Sequence, residues 1–294
     1  MPAKKIKQND ALNNIVKNVN ELRNSSIDPY GEKKVETKNG TLKLKVEADQ
    51  KERFDNKFKY PNVQKLILYF CMKMTQEHSR NFHLDINELL TLKGQTRNTR
   101  NLKTLKEDLE LLEKIQISNF TAIIDGKRMV LQDGFLFKVE HWEELKTPGI
   151  SLLSITSGSW ANPMIKSEQF FFIPESLFSF KKLKFNLSYN ILSRCRNEHK
   201  KMYNNNQDTF ALTVKSLLKN ININLKKFGS TKVIQKLEEV LNDLQKRNWF
   251  NWQYRNQKIS QLPARNKFRE YKKFMIDFNL SNTRLGQLYN ISAQ

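Results

Sequence analysis

The sequence has few of the features on which several classes of protein depend. Its two cysteines, Cys71 and Cys195, each lie inside an apolar helical pattern, so we expect buried free thiols in a reducing compartment rather than a disulfide. No apolar run approaches the ~20 residues of a membrane-spanning helix, and the first ten residues lack the hydrophobic core of a signal peptide. These absences predict a cytoplasmic protein that does not enter a membrane.

Motifs for catalysis and metal binding are also missing. With 9 glycines and 4 histidines, the chain has no glycine-rich phosphate loop, no His-x-x-x-His pair and no Cys-x-x-Cys pair. His78 and His83 are five residues apart, a poor spacing for two metal ligands. A DNA-nicking enzyme would need a tyrosine beside a paired-histidine metal site, and no His-hydrophobic-His occurs. We therefore expect no enzyme activity, no metal and no cofactor.

Positive charge is abundant and unevenly placed. The chain has 51 Lys+Arg against 30 Asp+Glu, a formal net charge of +21. Residues 1–60 hold 14 basic and 9 acidic side chains, residues 61–150 hold 13 and 12, and residues 151–294 hold 24 and 9. An excess concentrated in one half calls for an anionic partner. We predict a DNA-binding protein whose main binding surface lies in residues 151–294.

The first half shows the element order of a winged helix-turn-helix. Apolar residues recur at helical spacing from Val63 to Met74 and from Leu102 to Leu112, and a shorter helix is predicted around Glu88 to Leu90. Two β-prone runs, residues 120–124 and 129–139, flank Asp125-Gly126 and predict a hairpin. Three helices and a two-stranded ribbon follow one another in a winged helix.

An internal repeat gives the most specific signal. Phe82-x-Leu84-x-Ile86-x-x-Leu89-Leu90 recurs 128 residues later as Phe210-x-Leu212-x-Val214-x-x-Leu217-Leu218. The same offset relates Leu105, Leu109 and Leu112 to Val233, Leu237 and Val240, and an offset of 124 relates Val63, Ile67, Leu68 and Cys71 to Leu187, Ile191, Leu192 and Cys195. The repeat predicts helices near 187–202, 209–221 and 230–248, then a ribbon of residues 249–254 and 274–278.

The predicted fold is α+β and mainly helical, with two tandem winged helix-turn-helix domains related by this repeat. The predicted boundaries are a polar, partly disordered segment (1–58), a first winged-helix domain (59–146), a linker (147–169) and a second, main DNA-binding domain (170–285). Near the N-terminus, Leu12, Ile15, Val19 and Leu22 form an amphipathic stretch that packs on its own domain or forms a small dimer seam. Residues 41–46 alternate as a strand does.

The third helix of the second unit has suitable residues for DNA. In a helix-turn-helix this helix enters the major groove, and the preceding turn grips phosphate. Predicted contacts are Lys226, Lys227, Ser230, Thr231, Lys232, Gln235 and Lys236, with the acidic residues of the helix only later. Cations of the ribbon are predicted to hold the DNA backbone, and they are Arg255, Lys258, Arg265, Lys267 and Arg269. The aromatic alternation Phe250, Trp252, Tyr254 either seals a core or stacks on unpaired bases.

The first unit offers a weaker set of DNA contacts. The set consists of Arg97, Asn98, Arg100, Asn101 and Lys103 at the third helix, with Lys127 and Arg128 in the hairpin. Four carboxylates follow at once and would repel a phosphate backbone, namely Glu107, Asp108, Glu110 and Glu113. This face therefore makes a shallow DNA contact, or it packs against another copy of the chain or is simply solvated.

The tandem pattern, the segment Phe172-Ile173-Pro174-Glu175-Ser176-Leu177-Phe178 and the helix start Leu187-Ser188-Tyr189-Asn190 resemble plasmid replication initiator (Rep) proteins over residues ~60–280. The resemblance implies double-stranded DNA with repeated origin sites as the partner, bound more strongly by the C-terminal unit. It further implies a homodimer formed through the N-terminal unit, monomers that open an AT-rich origin, dimers that repress the initiator's own promoter, and host replication proteins as partners. The chain lacks the long leucine-zipper seam of better-known members. A transcriptional or partition regulator, and a scaffold built from the same modules, remain alternatives.

Overall fold

The protein has an α+β fold built from helices and antiparallel sheets. It divides into two compact units, Met1–Lys181 and Lys182–Gln294. The structure, a computed structural model, describes residues 5–8, 15–16, 19, 22, 31–37, 40–45, 60–124, 127–144, 151–166, 171–180, 182–204, 207–218 and 229–288.

With defined bounds, the described part of the first unit contains four α-helices, two 3-10 helices (Ser159–Ala161 and Glu175–Ser179) and eleven strands. The helices are α1 (Tyr60–Gln76), α2 (Ile86–Leu92), α3 (Thr99–Glu113) and α4 (Asn162–Lys166). The strands are β1 (Lys5–Gln8), β2 (Glu32–Thr37), β3 (Gly40–Lys45), β4 (Asn81–Asp85), β5 (Ile115–Ser118), β6 (Thr121–Ile124), β7 (Lys127–Val130), β8 (Gly134–Phe135), β9 (Phe137–Glu144), β10 (Ser151–Ser157) and β11 (Phe171–Pro174). Their sheet orders are β4-β10-β9, β2-β3-β5-β8, β6-β7 and β1-β11.

Buried aromatic rings join α1 to the β4-β10-β9 sheet. Phe70 of α1 makes edge contacts with Phe82 of β4 and Phe137 of β9, at centroid distances of 5.8 and 5.3 Å. Phe137 also meets Trp160 at 5.8 Å, and the Trp160 Nε1 donates to the Leu136 carbonyl at 3.1 Å. Since all four rings are almost fully buried, they form the centre of this unit's core.

The second unit has five helices and three strands in its described part. The helices are α5 (Lys182–Asn204), α6 (Val214–Leu217), α7 (Ser230–Lys246), α8 (Lys267–Tyr271) and α9 (Arg284–Leu288). The strands β12 (Thr209–Thr213), β13 (Asn251–Tyr254) and β14 (Met275–Asn279) form an antiparallel sheet in the order β12-β14-β13. An apolar stripe fixes α7 against this unit's core, because its members recur every three or four residues and all are buried, namely Val233, Ile234, Leu237, Leu241 and Leu244.

Several sequence predictions are confirmed. The long periodic patterns form α1, α3, α5 and α7, and residues 249–254 and 274–278 supply β13 and β14. The alternation predicted at residues 41–46 forms β3 as far as Lys45, and Val46 lies outside the described residues. Cys71 and Cys195 are buried free thiols, and burial raises the pKa of both.

The amphipathic stretch near the N-terminus packs on its own domain. Ile15, Val19 and Leu22 are fully buried, whereas Leu12 lies outside the described residues. The Gln64 side chain of α1 donates to the Val16 carbonyl at 2.7 Å. Over its described residues, the stretch therefore agrees with the first alternative, packing on its own domain.

The segment interpreted as a linker, residues 147–169, contains a central strand. Residues 151–157 form β10, in which Leu153 pairs with Leu84 of β4 and with Trp142 of β9. The two-stranded ribbon that pairs with β4 is therefore β9–β10. The hairpin predicted around Asp125-Gly126 forms instead a separate two-stranded sheet, β6–β7. Helix α4 also falls inside this predicted linker.

Two further expectations need correction. Residues 209–213, predicted as the start of a helix, form β12, because Phe210 and Leu212 pair with Phe278 and Ile276 in a sheet, and the helix begins only at Val214. Within the polar segment 1–58, β2 and β3 form a hairpin that continues into β5. The described residues hold fourteen strands and nine α-helices, a mixed composition that fits an α+β fold.

None of the helices in the described ranges is long and apolar enough to cross a bilayer. Those same ranges hold no cluster of three or more His, Cys, Asp or Glu side chains arranged to bind a metal ion.

Candidate nucleic-acid interface

The N-terminal half of α7 presents an exposed polar and basic face. Opposite the buried stripe, the exposed side chains are Thr231, Lys232, Gln235 and Lys236, and Ser230 is half-exposed. Residues three and four positions apart lie on one side of a helix, so Lys232, Gln235 and Lys236 form one continuous patch. Together with Ser230 and Thr231, this patch comprises the described members of the predicted helix contacts, whereas Lys226 and Lys227 lie outside the described residues.

The carboxylates of α7 follow this patch, and two of the three are engaged within the unit. Glu238 accepts a hydrogen bond from the Tyr254 hydroxyl at 3.3 Å, and burial raises the pKa of Glu238. Asp243 pairs with Lys184 and with Arg247, whose Nε lies 3.2 Å from Oδ1. The Lys184 hydrogen bond, followed by that of Arg247, lowers the pKa of Asp243. Of the three, only Glu239 is exposed, so positive charge dominates the first two turns.

Strand β13 is fastened to the other half of α7. Trp252 Nε1 donates to Asn242 Oδ1 at 3.2 Å, and the Trp252 backbone N–H donates to Gln245 Oε1 at 3.3 Å. Together with the Tyr254–Glu238 bond, these contacts fix the position of the β13–β14 ribbon relative to the exposed patch.

The chain between β13 and β14, residues 255–274, is a folded basic segment. It contains seven Lys and Arg side chains and one carboxylate, Glu270, and includes a short 3-10 turn (Ile259–Gln261) and α8. The Tyr271 hydroxyl of α8 hydrogen-bonds the Tyr254 hydroxyl at 2.8 Å, and the Tyr271 ring packs on Phe268 and Phe274. Burial raises the pKa of Tyr271 to about 12. The basic segment is thus held by aromatic packing.

The predicted ribbon cations differ in how freely they can meet a ligand. Lys258, Arg265 and Arg269 are exposed and Lys267 is half-exposed. Arg255 instead forms a bidentate pair with Asp277, with Nη2 2.5 Å from Oδ1 and Nε 3.1 Å from Oδ2. The Asp277 hydrogen bond raises the pKa of Arg255. The Arg255 guanidinium is therefore charged, but it already has a carboxylate partner within its own unit.

Sequence reasoning missed two further cations of the same segment. Lys272 lies over the Phe268 ring at 5.5 Å, and Lys273 pairs with Glu270 at 2.7 Å. The run Tyr271-Lys272-Lys273 within a charged stretch was the available signal. Lys273 pairs with the only acid of residues 255–274, and Arg255 pairs with Asp277, so the other five cations of this segment form no ion pair with another described residue.

In the first unit, three of the predicted contacts have structural roles. Arg97 donates to Ser151 Oγ at 2.8 Å and to Asn87 Oδ1 at 3.3 Å. Asn98 is the N-cap of α3 and accepts from the Asn101 N–H at 2.9 Å, while Asn101 Nδ2 donates to the Thr96 carbonyl at 2.8 Å. An N-cap asparagine satisfies a helix N–H, so these groups hold the entry to α3.

The other predicted contacts of the first unit are exposed. Arg100 and Lys103 lie on the surface of α3, and Lys127 and Arg128 lie on β7. Of the carboxylates expected to repel DNA, Asp108 is buried in an ion pair with Lys93 at 2.7 Å, whereas Glu110 remains exposed.

The aromatic side chains at residues 250, 252 and 254 pack within their own unit. Phe250 is fully buried and meets Phe278 edge-on at 5.1 Å, while Tyr254 contacts Phe274 at 5.6 Å. Trp252 is half-buried and its N–H is bound to Asn242. These contacts account for the pattern without base stacking.

Comparison with known proteins gives a limited result. No protein-family model matches the chain, and no curated protein matches it. A crystal structure of the selenomethionine derivative of domains 2 and 3 of RctB is similar at 10% identity and a TM-score of 0.48, covering 90% of this chain and 98% of that one. A second structure of RctB domains 2-3 has 11% identity and a TM-score of 0.44, covering 88% and 96%. Likenesses of this level establish neither a family nor a function.

Proposed function

We propose that the chain is a sequence-specific double-stranded DNA-binding protein and that α7 is its recognition helix. The observation that carries this proposal is the surface of α7. Its first two turns expose Thr231, Lys232, Gln235 and Lys236 and contain no carboxylate, while Glu238 and Asp243 are engaged by their own unit. Hydroxyl, amide and ammonium groups on one helix face suit base edges and phosphates of the major groove.

The element order of each unit supports a winged-helix assignment. The first unit runs α1-β4-α2-α3-β9-β10 around a β4-β10-β9 sheet, with β5 to β8 inserted after α3, and the second runs α5-β12-α6-α7-β13-β14 around a β12-β14-β13 sheet. In both sheets the first strand pairs with the last. Helix, strand, helix, helix and a two-stranded ribbon is the winged-helix order, in which the third helix lies in the major groove.

The proposed repeat has structural support at the level of single residues. Strands β4 and β12 begin and end 128 residues apart. Phe82 pairs with Ile155 and Phe210 with Phe278, so the equivalent phenylalanines take equivalent ladder positions. At the offset of 124, Val63, Ile67, Leu68 and Cys71 and their partners Leu187, Ile191, Leu192 and Cys195 are all buried.

We rank the second unit as the stronger DNA binder. At the offset of 128, Gln235 and Lys236 of α7 stand where α3 has Glu107 and Asp108. The basic segment of residues 255–274 follows α7, and its exposed cations suit a wing that lies over the phosphate backbone. The first unit is proposed to extend the site through Arg100 and Lys103, or to pair two copies of the chain.

Within this class we propose replication initiation at repeated origin sites, with repression by a dimer and host replication proteins as partners. This step rests on the resemblance of the sequence to Rep proteins, and two DNA-binding units in one chain suit an extended, repeated site. A cytoplasmic, non-enzymatic protein without a cofactor is part of the proposal. The second candidate is a transcriptional or partition regulator. A scaffold is disfavoured because residues 151–294 contain 24 basic and 9 acidic residues, and protein–protein contacts alone do not require such an excess of positive charge.

A replication assay separates these functions. The gene and its flanking DNA are placed on a plasmid that cannot replicate by itself, and maintenance of the plasmid in a host is scored with and without the gene. Gene-dependent maintenance, together with a footprint over direct repeats beside an AT-rich tract, supports initiation. A footprint over one short palindrome without plasmid maintenance favours the regulator.

A second experiment tests the ranking of the units. Neutralising Lys226, Lys227 and Lys232 should weaken DNA binding and flatten its salt dependence, because fewer counterions are released. Replacing Arg97 and Arg100 should cost less affinity or shorten the footprint, and Arg100→Gln is the cleaner variant because Arg97 also binds Ser151. Equal losses from both sets would reverse the ranking.

A further inference from the structure

The β6–β7 hairpin of the first unit is a separate structural element. It pairs with no other sheet in the described part of the chain. Strand β6 is anchored on one face, since Ala122 and Ile124 are buried and the Leu131 N–H donates to the Phe120 carbonyl at 2.7 Å, whereas all four residues of β7 are exposed. Anchoring of one face leaves the other as a surface in its own right.

That outer face is unusually apolar for an exposed surface. In the ladder Ile123 lies opposite Arg128, and Thr121 lies opposite Val130, and directly paired residues share one face of a sheet. The exposed fractions of Ile123 and Val130 are 64% and 74%. Ile123 and Val130 are thus two of the four large hydrophobic side chains exposed among the described residues. The other two are Met129, which lies opposite Ala122 on the other face of this hairpin, and Leu152 of β10. Such a concentration marks an interaction site.

The charges beside this face select the partner. Lys127 and Arg128 are exposed and form no ion pair with another described residue. Asp133 accepts the Asn119 N–H at 2.6 Å, and the only carboxylate of residues 115–131, Asp125, falls outside the described residues. In a symmetric contact between two hairpins, a second copy would bring the same two cations, Lys127 and Arg128, to this face, so it is a poor electrostatic match. DNA offers phosphates and also apolar groups, the thymine methyls of the major groove.

We propose that the outer face of the β6–β7 hairpin enters the major groove, where Ile123 and Val130 contact thymine methyl groups and Arg128 binds a base edge or phosphate. The major groove accommodates a two-stranded β-ribbon, arginine pairs with guanine acceptors, and apolar side chains meet the thymine methyl. The inference rests on the proposed DNA binding and adds a sequence-reading element that lies outside both three-stranded sheets.

The test removes the methyl groups from the DNA and the aliphatic groups from the protein in turn. The full-length chain first enriches a duplex from a random pool, and that duplex is then made with thymine or with uracil, which lacks the methyl. Affinity for both is measured for the wild type, for Ile123→Ser/Val130→Ser, and for Leu152→Ser, which removes an exposed leucine elsewhere in the unit. Circular dichroism melting checks that each variant is folded.

We expect uracil to weaken wild-type binding by about fourfold for each methyl group that the protein touches, and to weaken the double variant correspondingly less. Leu152→Ser should keep the full uracil effect. An equal uracil effect in the wild type and the folded double variant overturns the proposal, as does a double variant of unchanged affinity. A double variant that dissociates oligomers in sedimentation without DNA, and keeps its uracil effect, assigns the hairpin to a protein interface instead. If the wild type enriches no duplex at all, the failure lies in the proposed function and not in the hairpin alone.

Discussion

Neutralising the exposed lysines of α7 should change the salt dependence of DNA binding by a calculable amount. Lys232 and Lys236 lie one helical turn apart on the proposed recognition face. Each phosphate contact contributes about 0.9 to the slope of log affinity against log salt, so Lys232→Gln/Lys236→Gln should reduce the slope by about 1.8. When the salt concentration rises fourfold, the affinity of both proteins falls, and the fall should be about twelvefold smaller for the variant than for the wild type.

The assay is fluorescence anisotropy of a labelled duplex over a salt series, with Lys246→Gln as the control. Lys246 is exposed at the opposite end of the same helix, so this variant changes net charge without changing the proposed face. Because glutamine and lysine have similar helix propensities, the melting temperature of each variant should equal that of the wild type. An unaltered slope in the double variant, or an equal change in Lys246→Gln, would refute the placement of the binding face on α7.

Three other outcomes follow from the structure. Asp277→Asn should strengthen DNA binding, because it releases the Arg255 guanidinium from its bidentate pair, and weaker binding in a folded variant would contradict this. Cys71 and Cys195 should react with a thiol reagent only after unfolding, since both are buried and burial raises the pKa of each; fast labelling of the native chain would show that a helix opens. For Glu238 the folded pKa is raised above the ordinary 4.5, so its charged form opposes folding at neutral pH. Glu238→Gln should therefore raise the melting temperature at pH 7, and this gain should disappear below about pH 4.5, where the carboxyl group is protonated in both states. A variant that is still more stable than the wild type below about pH 4.5 would count against the pKa shift.

Local periodicity predicted the long helices well, because their positions are set by residues three and four apart. The apolar spacing from Val233 to Leu244 identifies the buried face of α7 and, by elimination, the exposed one. The identity of that face could therefore be predicted from sequence. The ring contacts that hold the basic segment could not, since Tyr254 and Tyr271 meet across a loop.

Long-range pairing escaped the sequence patterns. Strand β10 lies between Pro148-Gly149 and Gly158, and these breakers suggested a linker, although the alternation of Leu153 and Ile155 was a strand signal. Its pairing with β4 joins residues about 70 positions apart, which no local pattern encodes. The short strand β12, which directly precedes a helix, was also missed. The alternation of Phe210 and Leu212 was its strand signal, but the strand forms by pairing with β14, about 65 residues later.

The first-unit site shows which side-chain roles are readable. An asparagine directly before a periodic helix, such as Asn98, is an N-cap signal. That signal explains the observed role of Asn98, which we had predicted to contact DNA because its neighbours are basic. The bond between Arg97 and Ser151 spans 54 residues and had no sequence signal. Arginines near a helix start therefore need their partners to be known before they are assigned to a ligand.

Site-specific photocrosslinking tests the central claim most directly. A photoreactive amino acid is placed at Gln235 or, as the matched control, at Lys246 of the full-length chain, and the chain is irradiated on the duplex it enriches. We expect crosslinks to bases from position 235 and none from position 246. Equal crosslinking from both positions, or crosslinking from 246 alone, would contradict the assignment of α7 as the recognition helix.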